Sequence, residues 1–324
     1  MRTLILSSGT RGNMSPGKRW GYILSSIILI SGLFLLFIPL DVQGLGRSLA
    51  ALWNFGHLLF FFCLTWMLLP RMKWKGKQAP AGVGIGLAIV CGLVLGGMIE
   101  FLQHGIVGRS VGVGDIYLDI TGAMLASVWT EWRPGMDPFP YAAALRVVSV
   151  IMAAPLFFPL LAALADEWRA RRDFPVLVDS TSRMALSRFS DQKNLQWLGD
   201  SIRIDFTTIR YSGFALRFFP REWTGYERLE VSLSNPSDRT ITLTCRIHDR
   251  SHNQAYEDRF NAMYAIVPGE NTLVMNLAEV SALPTGRLMD MTNIAGIGCF
   301  TTSLERPVAL LLHRIGLAAG PMRF

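Results

Sequence analysis

Six polar and ionisable residues lie close together between two long apolar runs: Glu100, Gln103, His104, Arg109, Asp115 and Asp119. A carboxylate at membrane depth costs roughly 2.5–3.5 kcal/mol, so it normally faces a polar cavity or a partner. Residues three or four apart share a helix face, which pairs Glu100 with Gln103 and Asp115 with Asp119. Arg109, in the glycine-rich turn between them, can neutralise a carboxylate or hold an anion with its planar guanidinium.

The same stretch resembles the VanZ-like family of membrane proteins. The shared pattern is Glu-x-x-Gln, then Gly-Arg in a short loop, then Asp-x-x-x-(Asn/Asp)-x-x-Gly-Ala opening the next helix. Its positions in this chain are Glu100, Gln103, Gly108, Arg109, Asp115, Asp119, Gly122 and Ala123. His57 matches a family histidine early in the preceding helix, whereas Asp119 stands where the family usually has Asn. The resemblance covers residues 20–130 and implies a bacterial cell-envelope protein associated with glycopeptide-antibiotic resistance, without defining a reaction.

Four uncharged runs each approach the ~20 residues that cross a bilayer core. They are residues 20–40, 48–70, 78–99 and 147–165. A weaker fifth span, from about Val113 to Thr130, contains Asp119 and must cross if both of its neighbours do. We therefore predict a membrane bundle of five transmembrane helices. The first is expected to be retained, because its apolar region is long for a signal peptide and no A-x-A-like site follows it.

Basic residues predict the orientation of these helices. With the N-terminus in the cytoplasm, ten Lys and Arg residues lie in inner segments, and only Arg47 and Arg109 lie in short outer loops. The positive-inside rule then makes the protein a multi-pass protein of the bacterial cytoplasmic membrane with an extracytoplasmic C-terminal domain, periplasmic if Gram-negative. This topology brings Asn54, His57 and the polar stretch to one outer-leaflet depth. The net charge of +7 reflects these flanking residues, so no nucleic-acid partner is expected.

The 324 residues are enough for two domains, and the composition divides accordingly. The predicted segments are a basic cytoplasmic tail (1–19), a VanZ-like four-helix domain (20–130), an inner loop with the fifth helix (131–165), a loose connector (166–196) and an extracytoplasmic domain (197–324). In the last segment apolar residues alternate with polar ones, as at Ile241, Leu243, Cys245 and Ile247, and turn signals separate the alternating runs. This pattern predicts an all-β antiparallel sandwich of jelly-roll type.

Short matches in this domain resemble the galactose-binding-like jelly rolls found in many carbohydrate-binding modules. The matching stretches are Trp223–Tyr226, Asp258–Asn261, Pro268–Asn271, Arg287–Asp290 and Val308–Leu312, within residues 197–318. Many relatives carry an acidic residue where this chain has His313. A sugar site usually combines an exposed aromatic ring with planar polar side chains. The ligand-binding candidates are Trp223, Tyr226, Asp258 and Arg259, with His248, Asp249, His252 and Tyr256 nearby.

Structural roles compete with these binding roles. Trp223 is equally a core residue, and Asp258 with Arg259 is equally an ion pair that pins a loop. The spacing of His248, Asp249 and His252 matches no standard metal site, so neither a metal nor a cofactor is predicted. Cys245 and Cys299 are either a disulfide, which an extracytoplasmic location permits, or two buried free thiols.

The preferred interpretation is an envelope membrane protein that binds a glycan or a lipid-linked saccharide and acts in antibiotic tolerance or polysaccharide handling. Arg109 would meet an anionic headgroup, while Glu100, Asp115 and His57 orient its hydroxyls. One alternative is an intramembrane enzyme, with Glu100 and Asp115 as an acid–base pair and His57 as a second proton carrier. The other is a structural protein that docks envelope partners. Membrane lipids are expected partners in each case.

Overall fold

The computed structural model describes residues 16–37, 46–69, 73–74, 77–78, 81–103, 113–129 and 141–320. The chain divides into two compact units, Met1–Leu161 and Ala162–Phe324. The long helices are α1 (Pro16–Phe37), α2 (Arg47–Leu68), α3 (Ala81–Gln103), α4 (Val113–Trp129) and α5 (Ala142–Arg172). Two short strands, β1 (Lys73–Trp74) and β2 (Lys77–Gln78), pair between α2 and α3. In the first unit α4 packs against α2 and α3, and α1 packs against α2.

Three helices within the described ranges are long and apolar enough to cross a membrane: Arg47–Leu68, Ile85–Leu102 and Ala143–Arg172. The segment Trp20–Phe34 of α1 is apolar but shorter, and α4 has 17 residues. That any of these five helices crosses a membrane stays a prediction. Apolar side chains of α3 such as Val94, Met98 and Phe101 are exposed, as expected of a helix that faces hydrocarbon.

The second unit is an antiparallel β-sandwich, which confirms the predicted class of this half. Its strands are β3 (Val176–Asp179), β4 (Leu195–Trp197), β5 (Ile202–Phe206), β6 (Ser212–Leu216), β7 (Arg228–Asn235), β8 (Ile241–Asp249), β9 (Phe260–Ile266), β10 (Gly269–Asn276), β11 (Ile294–Thr301) and β12 (Val308–Ala318). One sheet has the order β10-β7-β12-β5-β4, with β3 also paired to β12, and the other has the order β6-β11-β8-β9. A short helix, α6 (Leu277–Ala282), follows β10.

Strand alternation builds the sandwich core. Along β8 the side chains of Ile241, Leu243, Cys245 and Ile247 are buried, and the intervening residues are more exposed. Side chains of successive residues point to opposite faces of a strand, so the buried set faces the other sheet. The same alternation in the remaining strands joins the two sheets through one hydrophobic core.

Residues 174–196, expected as a loose connector, are instead an ordered part of the sandwich. β3 pairs with β12, a 3₁₀ helix spans Arg183–Arg188, and β4 pairs with β5. Leu177 and Val178 are fully buried in the core. The sandwich therefore begins with β3, before the predicted boundary at residue 197.

Cys245 and Cys299 form a disulfide between β8 and β11. The two residues are direct partners in the strand register, with their Cα atoms 4.1 Å apart. Of the two alternatives for these cysteines, the structure therefore has the disulfide. It lies within the core and links the two central strands of the four-stranded sheet.

Asp166 and Arg188 form a buried ion pair that ties the end of α5 to the sandwich segment. Arg188 Nε lies 3.2 Å from Asp166 Oδ1, with side-chain exposures of 7% and 1%. Arg188 also donates from a terminal nitrogen to the Leu177 carbonyl at 2.6 Å. Removing one partner of a buried pair costs roughly 3–5 kcal/mol, because the other charge is left desolvated.

We expect Asp166→Ala to destabilise the fragment Ala162–Phe324 by about 3–5 kcal/mol in urea unfolding. The matched control is Asp205→Ala, since Asp205 pairs with Arg203 at 2.8 Å but both side chains are about half exposed. That change should cost at most ~1 kcal/mol. Equal losses in the two variants would show that the Asp166 pair does not hold this segment.

Candidate functional site

Four of the predicted membrane-site residues converge within the helical unit. His57 on α2 lies with its Nδ1 3.1 Å from Asp119 Oδ1 on α4, and both residues are almost fully buried. Glu100, near the end of α3, is buried as well, and Asp115 is half-buried in the first turn of α4. One ring nitrogen of His57 and one carboxylate oxygen each of Glu100 and Asp115 lie within 4.8 Å of one another. Three helices thus supply one polar cluster.

Two glycines create the space for this cluster. A Cβ at Gly96 of α3 would overlap the Asp119 carboxylate, and a Cβ at Gly122 of α4 would overlap the Leu58 carbonyl of α2. The missing side chains let the three helices approach closely and let Asp119 point toward His57. The side chain of Gln103, together with His104 and Arg109, lies outside the described residues, so their predicted places in the site stay predictions.

The predicted ligand-binding residues of the sandwich do not form one site. Trp223 is 1% exposed and donates its indole N–H to the Pro220 carbonyl at 3.1 Å. It is a core residue, so the expected role as a sugar platform is wrong in this structure. Tyr226 is half-buried and packs edge-on against Phe174, with 5.3 Å between ring centroids.

Asp258 pairs with Arg287 rather than with Arg259. Arg287 donates from Nε to Asp258 Oδ1 at 2.5 Å and from a terminal nitrogen to Asp249 Oδ1 at 2.9 Å. Hydrogen bonds from Arg287 and the Asn253 backbone lower the pKa of Asp258 to about 2. Burial opposes ionisation of Asp249, but hydrogen bonds from Arg287 and the Asp290 N–H still bring its pKa below the ordinary value. Asp258 does form an ion pair, but its partner is Arg287 and not the expected Arg259.

The two histidines near this network do not gather as metal ligands. The His252 ring makes a 3.0 Å hydrogen bond with the Asp258 carbonyl, and its centroid lies 5.1 Å from that of His248. Burial, then the neighbouring His252 and Arg246, lower the pKa of His248 to about 4. His248 is therefore neutral at pH 7. In the described part of the chain, the one group of ligand-type side chains close enough to hold an ion lies in the helical unit.

A groove of about 630 Å³ runs over the face of the four-stranded sheet that points away from the core. Alternation in β8 sends Thr244 and Arg246 to this face, and alternation in β11 sends Gly298 and Phe300 there. Further lining residues include Asp191, Tyr211, Tyr256, Arg259, Asn261 and Met263. Of the predicted ligand-binding set, only Arg259 lines this groove, together with the neighbouring candidate Tyr256.

Aromatic rings and arginines alternate within the groove. Tyr211 and Tyr256 are 58% and 62% exposed, and Tyr211 meets Phe300 edge-on at 5.7 Å. The guanidinium of Arg246 lies 5.8 Å from the Phe300 ring centre, and that of Arg259 lies 5.4 Å from the Tyr256 ring centre. The groove thus presents apolar ring surface beside planar hydrogen-bond donors.

Two arginines line the groove against one carboxylate, that of Asp191, so its lining carries a net positive charge. Arg246 and Arg259 form no ion pair with a carboxylate in the described ranges, and Arg259 donates to the Asn261 side chain at 3.1 Å. Burial, then the nearby charges of Arg259 and Arg217, lower the pKa of Arg246. Mutual repulsion of these cations would be relieved by an anion, so the groove is suited to an acidic ligand.

Three groove residues, Tyr211, Arg246 and Phe300, lie outside the short sequence matches to carbohydrate-binding modules and were not predicted. A usable signal was present for one of them. The apolar alternation predicted that Leu243, Cys245 and Ile247 face the core, and Arg246 must then face outward. Tyr226 instead borders a second groove, of about 870 Å³, which Trp223, Arg228, Asn276 and Glu279 also line.

No family model and no curated protein matches this chain, so the VanZ-like resemblance stays a prediction. Among solved structures, the family 11 carbohydrate-binding module from Clostridium thermocellum, in complex with a β-1,3-1,4-mixed-linked tetrasaccharide, is similar at 12% identity. The match covers 39% of this chain and 79% of that module, with a TM-score of 0.31. An agarase is similar at 13% identity, over 45% of this chain and 26% of the agarase, with a TM-score of 0.38.

A Clostridium thermocellum xylanase structure in complex with xylohexaose is similar at 10% identity. That match covers 37% of this chain and 22% of the xylanase chain, with a TM-score of 0.27.

The network of Arg287 with Asp249 and Asp258 predicts acid sensitivity. Because Asp258 has a folded pKa of about 2 against 3.8 ordinarily, its contribution to stability is complete above about pH 4 and is lost as pH falls toward 2. We expect Arg287→Gln to lower the urea midpoint of the fragment Ala162–Phe324 at pH 7 and to flatten its decline between pH 4 and 2. The control Arg203→Gln, which removes an exposed pair with Asp205, should leave the pH profile unchanged. A wild-type midpoint that stays constant down to pH 2 would contradict this role.

Proposed function

We propose that this protein is a membrane-anchored glycan-binding protein, whose sandwich holds an acidic glycan in the groove over its four-stranded sheet. The observation that carries the proposal is the pairing of exposed tyrosines with arginines that have no carboxylate partner among the described residues. Ligand sites typically combine apolar and aromatic walls with a few placed polar groups. This groove has that composition, and its two arginines favour an acidic ligand over a neutral one.

Each component of the groove has a role in this proposal. The rings of Tyr211 and Tyr256 offer flat apolar surface to the C–H faces of sugar rings. Asn261 and Asp191 offer an amide and a carboxylate for sugar hydroxyls. Arg246 and Arg259 offer planar forks that bind carboxylate or phosphate oxygens in pairs. A glycan with uronate or phosphate groups meets all of these groups.

We expect the fragment Ala162–Phe324 to bind polygalacturonate, and to bind its neutral methyl ester at least ~10-fold more weakly in calorimetry. Arg246→Ala and Tyr256→Ala should each weaken binding of the acidic polymer about 10-fold, because both side chains would lie at the centre of the contact. Affinity should fall with added salt. If an array of uronate- and phosphate-bearing polysaccharides gives no signal, the groove does not bind acidic glycans and the proposal is wrong.

Two control variants distinguish this groove from other surfaces. Arg203→Ala removes an exposed arginine of the other sheet and should leave affinity unchanged. Tyr226→Ala alters the second groove, which the short sequence matches favoured. Loss of binding in Tyr226→Ala with retention in Tyr256→Ala would move the site to that second groove.

We further propose that α1 to α5 cross the cytoplasmic membrane of a bacterial cell envelope and carry the sandwich outside. Support comes from three helices of sufficient length and apolarity, and from the ten-to-two distribution of basic residues. The disulfide between Cys245 and Cys299 adds an independent argument, because such bonds persist in oxidising compartments. In this location the glycan partner is an envelope polysaccharide or a lipid-linked saccharide, and the VanZ-like pattern adds a link to glycopeptide tolerance.

A reporter that is active only in the cytoplasm tests the orientation. Fused after Phe324 it should be silent, and inserted between Lys73 and Lys77 it should be active, since these positions fall on opposite sides of the membrane in the five-helix topology. A reporter active at both positions would indicate an even number of crossings between them. The reverse of the expected result would overturn the orientation and the extracytoplasmic assignment together.

A second candidate function is acid–base chemistry in the helical unit. The buried hydrogen bond between His57 and Asp119, with Glu100 and Asp115 close by, favours it over the docking alternative. Structural polar contacts between membrane helices need only a few neutral partners. Three carboxylates and an imidazole converging from three helices are more than helix association requires.

A further inference from the structure

We infer that the helical unit binds a divalent metal ion, held by the His57 imidazole and the carboxylates of Glu100 and Asp115. These three residues come from α2, α3 and α4, and their donor atoms lie within 4.8 Å of one another. Two ligands of one tetrahedral ion at ~2.1 Å lie roughly 3.4 Å apart, so an ion would draw these side chains slightly inward. The three ligand residues are far apart in sequence, and the packing of the three helices brings them together.

The His57 ring carries a second observation that points to a ligand. Its Nδ1 is engaged by Asp119, whereas its Nε2 is buried without a hydrogen-bond partner among the described residues. The residue is 2% exposed, so water does not replace that partner at the surface. A buried polar atom left unpaired costs about 1–3 kcal/mol, and coordination of Nε2 to a metal removes that cost.

Asp119 completes the arrangement as a positioning residue. Histidines that bind metals almost always use their other ring nitrogen to donate to a carboxylate, which fixes the tautomer and strengthens the ligand. With Nδ1 donating to Asp119 Oδ1, the lone pair of Nε2 is available to an ion. Gly96 provides the space in which the Asp119 carboxylate reaches His57.

Charge also favours a divalent cation at this place. Glu100 and Asp115 bring two carboxylates toward one point in an apolar helical unit, where ionised groups are costly and like charges repel. A divalent cation is attracted by both carboxylates and is commonly the largest local charge in such a site.

The donor set narrows the class of ion. One imidazole nitrogen and two carboxylate oxygens, with no thiolate, suit Zn²⁺, Mn²⁺ or Fe²⁺ better than Cu⁺. Three protein ligands leave a coordination position for water or for an oxygen of an anionic ligand, as in catalytic rather than structural zinc sites. Asp115 is only half-buried, whereas His57 and Glu100 are buried, so an ion would enter the site past Asp115.

The test uses the full chain in lipid nanodiscs, stripped with a chelator and then reloaded with Zn²⁺ or Mn²⁺ separately. Elemental mass spectrometry should find about one ion per chain, and His57→Gln or Glu100→Gln should abolish this binding. Asp119→Asn should keep the stoichiometry and weaken affinity about 10–100-fold, since it alters only the group that orients His57. The control His313→Gln, in the sandwich, should bind as the wild type does.

A measurement on the wild type alone guards against variants that fail to fold. Pulsed electron paramagnetic resonance of the Mn²⁺-loaded chain should show coupling to one imidazole nitrogen, and absence of that coupling would overturn the site. A stripped wild-type chain that rebinds neither ion would overturn it as well. Retention of wild-type affinity in folded Glu100→Gln would exclude Glu100 as a ligand and with it the site as proposed. Glycan binding by the isolated sandwich is independent of all these results.

Discussion

A buried ionisable group needs a partner, and this requirement organises both units of the protein. In the sandwich, Asp166 is held by Arg188, and Arg287 holds Asp249 and Asp258. In the helical unit, His57 and Asp119 hold one another. Each of these pairs joins segments far apart in sequence, so the ionic contacts fix how helices and loops meet. Their net contribution to stability is modest, but the loss of one partner is expensive.

Buried ionisable groups that lack such a partner among the described residues are the candidate binding groups, whereas paired ones are structural. His57 Nε2 is buried without a hydrogen-bond partner among the described residues. Burial, and then the charges of Arg259 and Arg217, lower the pKa of Arg246. Such unresolved electrostatics lower stability and persist where a ligand supplies the missing partner. The carboxylates of the helical cluster favour binding of a cation, and the arginines of the groove favour binding of an anion.

The elements that could be predicted from the sequence are those marked by a local hydrophobic pattern. Helix-length apolar runs and the two-residue alternation of β8 identify the two halves and their core faces. The spacing of Glu100, Asp115 and Asp119 within one stretch made the helical cluster visible before its geometry. The groove was missed because Tyr211 directly precedes β6, Phe300 lies on β11 and Arg246 lies on β8, and only the order β6-β11-β8 brings these positions side by side. The role of Trp223 stayed open between binding and core, because an aromatic residue before a strand has the same local pattern whether it packs inward or outward.

The two proposed sites converge on one chemical class of ligand. A metal with an open coordination position attracts anionic oxygen, and so do unpaired guanidinium groups in a groove lined by tyrosines. A saccharide carrying phosphate or uronate groups satisfies both requirements, whereas a neutral polysaccharide satisfies neither. The formal charge of +7 conceals this, because most of that excess lies in segments that flank the apolar runs. The proposed partner is therefore inferred from local charge at the two sites rather than from net charge.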